Sequence, residues 1–299
     1  MANKGAIRES LNDRVFMFLI YALLTVFFLV VLYPLVYIFS SSFSSPQAVL
    51  SGRVWLWPVE PTLMGYQAVF KNPQIGIGFA NSVFYAFFGT FINVTLTVML
   101  GYALSVKGFY GRQAIMGMLV FTLLFSGGLI PTYLVVKGLG ILNTRWAMLL
   151  PGALAVWQVI ITRTFFQATI PNELREAAEI DGCRDVGFMA RVAFPLAKPI
   201  IAVLFLMYAV GNWNAYFDAL IYLKSPNLFP LQIILRNILV INSVDPTMMI
   251  NVNEMAAREG LKNLLKYSLI VVSSGPVLIL YPFIQKYFVK GMMIGSLKG

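Results

Sequence analysis

The amino-acid sequence predicts an all-α integral membrane protein with six transmembrane helices. Apolar residues make up 59% of the 299 positions and charged residues only 11%, whereas a soluble domain carries about 25% charged residues. Six stretches are apolar over about 20 residues, the length that a helix needs to cross a hydrocarbon core of about 30 Å. Because too few polar side chains remain to cover a water-facing surface, a chain made of one or two soluble domains is excluded.

The predicted spans follow the apolar runs along the chain. They cover about residues 15–39, 79–106, 114–136, 146–166, 199–223 and 264–288. The first run is longer than the apolar core of a cleavable signal peptide, so we interpret it as a membrane anchor. Gly127, Gly128 and Pro131 predict a break or kink in the third span. Pro151 and Pro276 predict kinks in the fourth and sixth spans.

The distribution of basic side chains predicts the orientation of these spans. Of the 22 lysines and arginines, 13 fall in segments on one side of the predicted topology and 9 on the other. Because basic residues concentrate on the cytoplasmic side, both termini are expected in the cytoplasm. The same rule accounts for the net charge of +10. Membrane lipid is therefore an expected partner and nucleic acid is not.

Several kinds of enzyme chemistry are excluded by composition. Histidine is absent and Cys183 is the single cysteine, so the chain builds neither a Ser-His-Asp triad, nor a histidine-ligated metal site, nor an internal disulfide. The sequence G-x-x-x-x-G-K-[ST] does not occur, so no ATP-hydrolysing phosphate loop is present. We therefore expect no catalytic residue, no metal site and no cofactor bound by this chain.

The loop between the fourth and fifth spans, residues 169–199, is the part of the sequence with the most chemistry, and we name it the acidic loop. It holds five of the twelve acids: Glu173, Glu176, Glu179, Asp181 and Asp185. Pro171 suits the first turn of a helix, and acids near the start complement the helix dipole. Apolar side chains recur at helical spacing at Ile170, Leu174, Ala177 and Ala178.

Two short helices joined at a glycine are predicted within this loop. Gly182 suits a helix stop. A second amphipathic segment follows, ended by Pro195, and its apolar side chains are Val186, Met189, Val192 and Ala193.

The segment Glu176-Ala177-Ala178, followed by Asp181-Gly182 and then by Pro195, resembles the EAA loop of bacterial ABC importer permeases. In that family the loop is the coupling helix, which docks into a cleft on a cytoplasmic ATPase subunit. The resemblance implies polar contacts from Glu176 and Asp181, and a close fit permitted by Ala177, Ala178 and Gly182. An alternative interpretation is a pair of amphipathic helices lying in the membrane interface.

The resemblance extends over nearly the whole chain. The tail, residues 281–299, is similar to that of maltose-type permeases, where it reaches into the ATPase dimer interface. Residues 125–133 and 213–223 resemble a subgroup that imports complex saccharides, including alginate oligosaccharides. The family has a five-helix type I permease core, which is expected at residues 79–290. Residues 1–78 would then hold the first span and an outer loop, and residues 291–299 a cytoplasmic tail.

The function that this resemblance implies is ATP-driven import of an oligosaccharide across a bacterial cytoplasmic (inner) membrane. The implied assembly contains a homologous permease subunit, which makes a heterodimer, two ATPase subunits that use ATP with Mg²⁺, and an external solute-binding protein. Import of a different small solute by the same kind of permease is an alternative. A self-sufficient secondary transporter is a further one, although the spans show no repeat and no paired acids for ion coupling.

Polar and aromatic side chains in the fifth span are candidates for a solute path, because such groups are costly inside a membrane. They are Tyr208, Asn212, Trp213, Asn214, Tyr216 and Asp218. Aromatic faces suit sugar rings and amides suit sugar hydroxyls. The alternative interpretation is that the rings lie at the outer interface and that the asparagines bond neighbouring helices. Similar candidates on the second span are Asn81, Asn93, Thr95 and Thr97.

Overall fold

The computed structural model describes residues 10–240 and 252–296, and within these ranges every regular element is helical. The first eight helices are α1 (Leu11–Ser42), α2 (Pro46–Leu50), α3 (Met64–Lys71), α4 (Pro73–Ser105), α5 (Arg112–Leu124), α6 (Leu129–Gly138), α7 (Trp146–Leu149) and α8 (Val156–Thr169). The others are α9 (Asn172–Ile180), α10 (Asp185–Phe188), α11 (Phe194–Leu196), α12 (Lys198–Trp213), α13 (Phe217–Tyr222), α14 (Leu231–Val240) and α15 (Val252–Ser296). A π-helical turn (Met189–Ala193) and a 3₁₀ turn (Pro226–Leu228) complete the set.

Three helical stretches are long and apolar enough to cross a membrane by themselves. They are α1, α4 and Gly260–Pro282 of α15, which correspond to the predicted first, second and sixth spans. Two bent pairs also pass when each is taken as one span: α5 with α6, bent by 119°, and Asp185–Leu196 with α12, bent by 77°. The described residues thus contain three to five candidate spans, and six spans remain a prediction.

The predicted third span is broken where its sequence indicates. Helix α5 ends at Leu124 and α6 begins at Leu129. Between them Gly128 has φ +84°, a conformation that glycine adopts without steric penalty. The Gly128 N–H donates to Ser126 Oγ at 3.2 Å. This sharp turn, rather than a mild kink, is what the pair of glycines before Pro131 produces.

The predicted fourth span is interrupted. A single turn, α7, is followed by a non-helical stretch that contains Pro151 and Gly152, and only then by α8. The 14 residues of α8 are about 21 Å long at 1.5 Å per residue, which is short of the hydrocarbon core. Hydropathy alone could not distinguish this arrangement from a continuous helix, because the interrupting residues are themselves mostly apolar.

The chain divides into two compact units. The first comprises Met1–Lys71 and Val244–Val272. Within it, the end of α1 is buried at Ser40, Ser41 and Ser42, and the Ser40 hydroxyl donates to the Leu56 carbonyl at 2.6 Å. Helix α3 lies so close to α15 that a β-carbon on Gly65 would overlap the Ser268 side chain. Part of the last helix thus belongs to the N-terminal unit, and the predicted boundary after residue 78 stays a prediction.

A charged turn closes the loop after α2. The Arg53 guanidinium pairs with the Glu60 carboxylate at 2.9 Å, and the Ser45 hydroxyl donates to the other Glu60 oxygen at 2.6 Å. The hydrogen bonds from Ser45 and Arg53, together with the positive charge of Arg53, lower the pKa of Glu60. Nearby, Trp55 and Trp57 are exposed.

The second unit comprises Asn72–Ser243 and Ser273–Gly299, and α4 is its central helix. Helix α4 packs against α8, α12 and α14. Small residues permit these contacts, since a β-carbon on Gly101 would lie 2.7 Å from Thr162 Cγ2, and one on Gly89 would lie 2.7 Å from Asn212 Nδ2. Close helix approach through small side chains is a general feature of membrane helix packing.

Candidate functional site

The acidic loop forms the two short helices that its sequence predicts. Helix α9 begins after Pro171, with Glu173 in its first turn, where an acid complements the helix dipole. It ends at Ile180, and Gly182, two residues further on, has φ +75°. The Gly182 N–H donates to the Glu179 carbonyl at 3.0 Å and the Cys183 N–H to the Ala178 carbonyl at 2.8 Å. These two bonds form a Schellman motif, which confirms the predicted glycine stop.

The second segment continues one residue beyond the predicted end at Pro195. It runs through α10, the π-helical turn and α11 to Leu196. Within the π-helical turn the Phe194 N–H donates to the Met189 carbonyl. The wider π turn lies directly before Pro195, where an α-helix would clash with the proline ring. Helix α12 then starts at Lys198 after the 77° bend.

The acidic loop is seated on an apolar cluster at one end of α4 and α8. From the loop, Phe188, Ala193 and Ala197 are buried in this cluster together with Tyr102 of α4 and Phe166 of α8. The rings of Tyr102 and Phe166 meet edge to face at 5.5 Å. Since these loop side chains are almost fully excluded from solvent, the loop is anchored to the helices that it connects.

One arginine ties the two short helices together. The Arg175 Nε lies 3.0 Å from Glu179 Oε1 in α9, and its Nη2 lies 3.0 Å from Asp185 Oδ1 in α10. Both carboxylates are exposed, so each pair contributes only about 0–1 kcal/mol of stability. The two contacts nevertheless orient α10 relative to α9, because one guanidinium forms an ion pair with both carboxylates and also donates a hydrogen bond to Asp185.

Five of the six residues that the EAA resemblance singles out are exposed, two of them in α9 and three beyond its end. Glu176, Ala177, Asp181, Gly182 and Pro195 are exposed. Ala178 differs, since it is half-buried and packs against the apolar cluster beneath the loop.

Sequence reasoning did not single out Ile180, and it placed Val186 on the apolar face of the second amphipathic segment. Ile180 is 87% exposed and Val186 is 72% exposed. The exposure of Ile180 next to acids could have been suspected from the sequence, because Glu173, Glu176, Ala177 and Ile180 share one helical face. The surface therefore combines acids with large uncovered apolar groups, a pattern typical of interaction sites.

The solute-path candidates of the fifth span fall into two groups, and the first lies inside the helix packing. The Tyr208 hydroxyl is 2.7 Å from Thr97 Oγ1 and accepts from the Ala155 N–H at 3.3 Å. Trp213 is buried, and its Nε1–H donates to the Ser273 carbonyl at 2.9 Å. These polar groups satisfy one another between helices.

The second group lies towards the end of α12 and beyond it. Asn212 is half-buried and donates to Thr90 Oγ1 at 3.4 Å. Asn214, Tyr216 and Asp218 are exposed, and the Asn214 amide donates to the Val210 carbonyl of its own helix at 2.9 Å. Tyr216 and Phe217 present two adjacent exposed rings, a surface that suits the apolar face of a sugar.

On α4, polar residues hold neighbouring segments of the second unit. The Asn81 amide donates to the carbonyls of Asn227 and Phe229 at 2.8 and 3.1 Å. The Asn93 amide donates to the Gly152 carbonyl at 3.2 Å. These bonds connect α4 to irregular backbone, which needs such partners within a membrane.

Sequence reasoning did not find the residue that joins two loops next to α13. Asn143 Oδ1 accepts from the Lys224 and Ser225 N–H groups at 2.9 Å each, and its amide donates to Ser225 Oγ at 2.8 Å. Its φ of +57° is one that asparagine tolerates better than most residues. An asparagine three residues after Gly140, in the short loop between α6 and α7, was the available signal.

Among the described residues, no cluster of acids and Cys183 has the composition to hold a metal ion. The site thus consists of the acidic loop, which is packed on α4 and α8 and leaves one face exposed, and of the helices that hydrogen bonds join to α4.

Comparison with known proteins identifies this architecture. Residues 4–294 match the family described as "Binding-protein-dependent transport system inner membrane component". The chain is 40% identical over 290 residues to the polygalacturonan/rhamnogalacturonan transport system permease protein YtcP of Bacillus subtilis (strain 168), covering 97% of this chain and 100% of that protein. It is also 40% identical over 266 residues to protein LplC of the same organism, covering 89% of each.

A solved structure agrees with these relatives. One chain in the crystal structure of a bacterial ABC transporter involved in the import of the acidic polysaccharide alginate is 34% identical and superposes with a TM-score of 0.86. The match covers 95% of this chain and 100% of that one. This chain therefore belongs to the family of binding-protein-dependent inner membrane transport components and is a permease subunit of a carbohydrate ABC importer.

Proposed function

We propose that this permease carries oligosaccharides rich in uronic acids. The observation that supports the proposal is the chemistry of two relatives that match 95% or more of the chain. One is named for polygalacturonan and rhamnogalacturonan transport, and the other belongs to an importer of the acidic polysaccharide alginate. Both kinds of polymer contain sugar carboxylates, whereas neutral saccharides do not.

The exposed groups near the end of α12 are proposed to contact the sugar. Tyr216 offers an exposed ring and Asn214 an exposed amide, which suit sugar faces and hydroxyls. Asp218 is exposed beside them and is expected to accept from hydroxyls at a distance from the carboxylates. Tyr208 and Trp213 are expected to support this surface from behind, because their polar atoms are engaged between helices.

The acidic loop is proposed to dock on a cytoplasmic ATPase subunit. Its uncovered face, with Glu176, Ala177 and Ile180, offers contacts to a partner, while its buried face is held by Phe188 and Ala193. Because the acidic loop is packed tightly on α4 and α8, a displacement of the loop by its partner would move those helices with it. The close contact of α4 with α8 at Gly101 supports such transmission.

The proposed assembly follows the family. It contains a homologous permease in a heterodimer, two ATPase subunits that hydrolyse ATP with Mg²⁺, and an external solute-binding protein. Both termini of this chain are proposed to lie in the cytoplasm, with six spans between them. The predicted contact of the tail with the ATPases involves residues 281–299, of which 297–299 lie outside the described residues.

Uptake by the reconstituted complex tests the proposed function. The complex with its own ATPase and binding protein is placed in liposomes, and ATP-dependent accumulation is measured for oligogalacturonates, alginate oligosaccharides and neutral malto-oligosaccharides. We expect accumulation of at least one acidic oligosaccharide and little of the neutral one. A preference for the neutral saccharide would contradict the substrate class. Uptake by this chain without an ATPase would indicate a secondary transporter.

A further inference from the structure

A pocket lies beside the acidic loop, at the end of α4. Its cavity is about 240 Å³ in volume, and it is formed between α4, α8, the start of α9 and the short connection from α4 to α5. Lys107 comes from that connection, Arg112 from the first residue of α5, Tyr102 from α4 and Arg175 from α9. None of these side chains belongs to the proposed sugar surface or to the outward face of α9.

The charges around the pocket favour an anion. Three basic side chains line it, Lys107, Arg112 and Arg175, against one acid, Glu173. Arg175 is already paired with Glu179 and Asp185. The ion pairs found in the described part of the chain include neither Lys107 nor Arg112. Two positive charges thus face the cavity uncompensated by a carboxylate of the described residues.

A buried hydroxyl in the pocket wall provides a second, independent observation. Tyr102 is only 8% exposed, and its hydroxyl has no hydrogen-bond partner among the described residues. A buried polar group without a partner is unfavourable and uncommon in folded proteins. A bound oxyanion would accept a hydrogen bond from this hydroxyl and remove the penalty.

The start of α9 adds backbone donors at the same place. Pro171, Asn172 and Glu173 line the pocket, and the start of α9 has no side-chain cap. The Leu174 N–H donates to the Pro171 carbonyl at 3.3 Å, whereas the N–H groups of Asn172 and Glu173 have no partner among the described residues. These two groups can bond an anion, and the helix dipole favours negative charge at this end. Basic side chains, a buried hydroxyl and a helix start thus converge on one cavity.

We propose that this pocket binds a phosphate-type oxyanion, supplied either by the headgroup of an anionic phospholipid or by free phosphate. The pocket adjoins the end of a membrane-spanning helix, the depth at which headgroups lie. A bound phosphate would connect the α4–α5 connection to the start of α9. If the acidic loop docks on the ATPase as proposed above, the anion would also stiffen the attachment of that loop, so this consequence rests on the proposed function.

The test uses the assembled complex in nanodiscs. Discs of phosphatidylcholine alone, the same discs with added inorganic phosphate, and discs that also contain phosphatidylglycerol are compared. Phosphatidylglycerol retained by the complex is counted by native mass spectrometry, and the midpoint of thermal unfolding is measured in all three. Variants Lys107→Gln/Arg112→Gln and Tyr102→Phe remove the proposed contacts. The matched control is Arg191→Gln/Lys198→Gln, since both side chains are exposed in the same region and line no part of the pocket.

We expect the affinity for the anion to fall roughly tenfold or more in the Lys107/Arg112 variant, because each basic group near a headgroup contributes appreciably. Tyr102→Phe is expected to weaken it roughly fivefold, since one hydrogen bond to a charged group is lost. The control should bind as the unaltered chain does. A higher midpoint of thermal unfolding only in the discs with phosphatidylglycerol identifies the lipid as the source. An equal rise of this midpoint with inorganic phosphate identifies the free ion.

Equal binding by the pocket variants and the unaltered chain would overturn the proposal. Tyr102→Phe keeps the ring packed against Phe166, so it separates loss of binding from loss of folding. Copurification of the ATPase subunits is recorded for every variant. If they fail to copurify even with the unaltered chain, the proposed function fails, while the binding result still decides on the pocket.

Discussion

At the scale of single residues, polar side chains in the apolar helices of the second unit are used mainly to bond one helix to another. Tyr208 is an example, because its hydroxyl meets both Thr97 of α4 and the backbone of Ala155. Thr97 is itself fully buried. A tyrosine that sequence alone allows as a sugar contact is therefore a link between helices in this conformation.

Tyr208→Phe is expected to lower the free energy of unfolding by about 0.5–1.5 kcal/mol, because it leaves the buried Thr97 hydroxyl without this partner. Unfolding of the purified complex by detergent titration measures the change. Asn214→Ala is the control, since the Asn214 amide is exposed and bonds only its own helix. Reduced uptake with unchanged stability in Tyr208→Phe would instead place this residue on the solute path.

The Glu60 carboxylate predicts a local dependence on pH in the first unit. Its pKa is lowered by Ser45 and Arg53, so the folded loop favours the ionised form. Its contribution is present above the ordinary pKa of a glutamate and is lost as pH falls through the lowered value. We expect hydrogen exchange of the loop amides, corrected for intrinsic rates, to increase as the solution is acidified towards that range. Glu60→Gln should remove this dependence, and an unchanged profile in the variant would contradict the assignment.

At the scale of elements, the packing of α4 depends on glycines that have a neighbour directly against them. Gly101 is placed against the short, stiff side chain of Thr162 and near the backbone of Arg163. Gly76, in the same helix, has open space around it. The two glycines are indistinguishable by propensity, so only the neighbouring helix makes one of them necessary.

Gly101→Leu is expected to destabilise the second unit by about 1–3 kcal/mol, since the added side chain must separate α4 from α8. Gly76→Leu should change stability little, because nothing lies within 4 Å of its β-carbon position. Detergent unfolding of both variants, side by side, measures the difference. Equal losses would show that backbone flexibility, and not helix contact, is what these glycines provide.

Elements also differ from their predicted form where two irregularities coincide. The π-helical turn before Pro195 and the bend after Leu196 redirect the chain from the acidic loop into α12. A regular helix through Pro195 would have clashed with its own backbone. The wider turn thus keeps the loop and α12 joined by backbone that is helical on both sides of the bend.

At the scale of the whole molecule, the outward face of α9 is expected to be the surface on which the ATPase subunit docks. Ile180→Asp should weaken attachment of the ATPase roughly tenfold or more, because a large apolar side chain that a partner covers contributes about 1.5–3 kcal/mol. Solute-stimulated ATP hydrolysis of the reconstituted complex is the measurement. Ala178 is less suitable for this purpose, since a larger residue there would disturb the seat of the loop.

Tyr110→Asp is the matched control. Tyr110 is 98% exposed and lies in the α4–α5 connection, which shares the pocket with the start of α9 and so lies at the same end of this unit. Tyr110→Asp should leave the solute-stimulated ATP hydrolysis unchanged. Identical effects of the two substitutions would argue against a specific docking face on α9.

Sequence by itself determined the class of the protein. An apolar composition with few charges requires a membrane, and the Glu176-Ala177-Ala178 segment with Asp181 and Gly182 indicated an ABC importer permease, which the family match bears out. The helix stop at Gly182 and the break at Gly128 were also predictable, because each depends on local backbone conformation. Local rules suffice for features that a few adjacent residues decide.

Tertiary structure decided which residues are exposed and which are buried. It showed Ala178 turned towards the apolar cluster, Ile180 outward, and Tyr208 bonded between helices. It also brought Tyr102 of α4, Lys107 and the start of α9 around one cavity. These outcomes depend on contacts between residues far apart in the chain. In an apolar sequence the same helical periodicity is compatible with a helix face that contacts lipid, the protein interior or a partner, so the periodicity alone does not distinguish them.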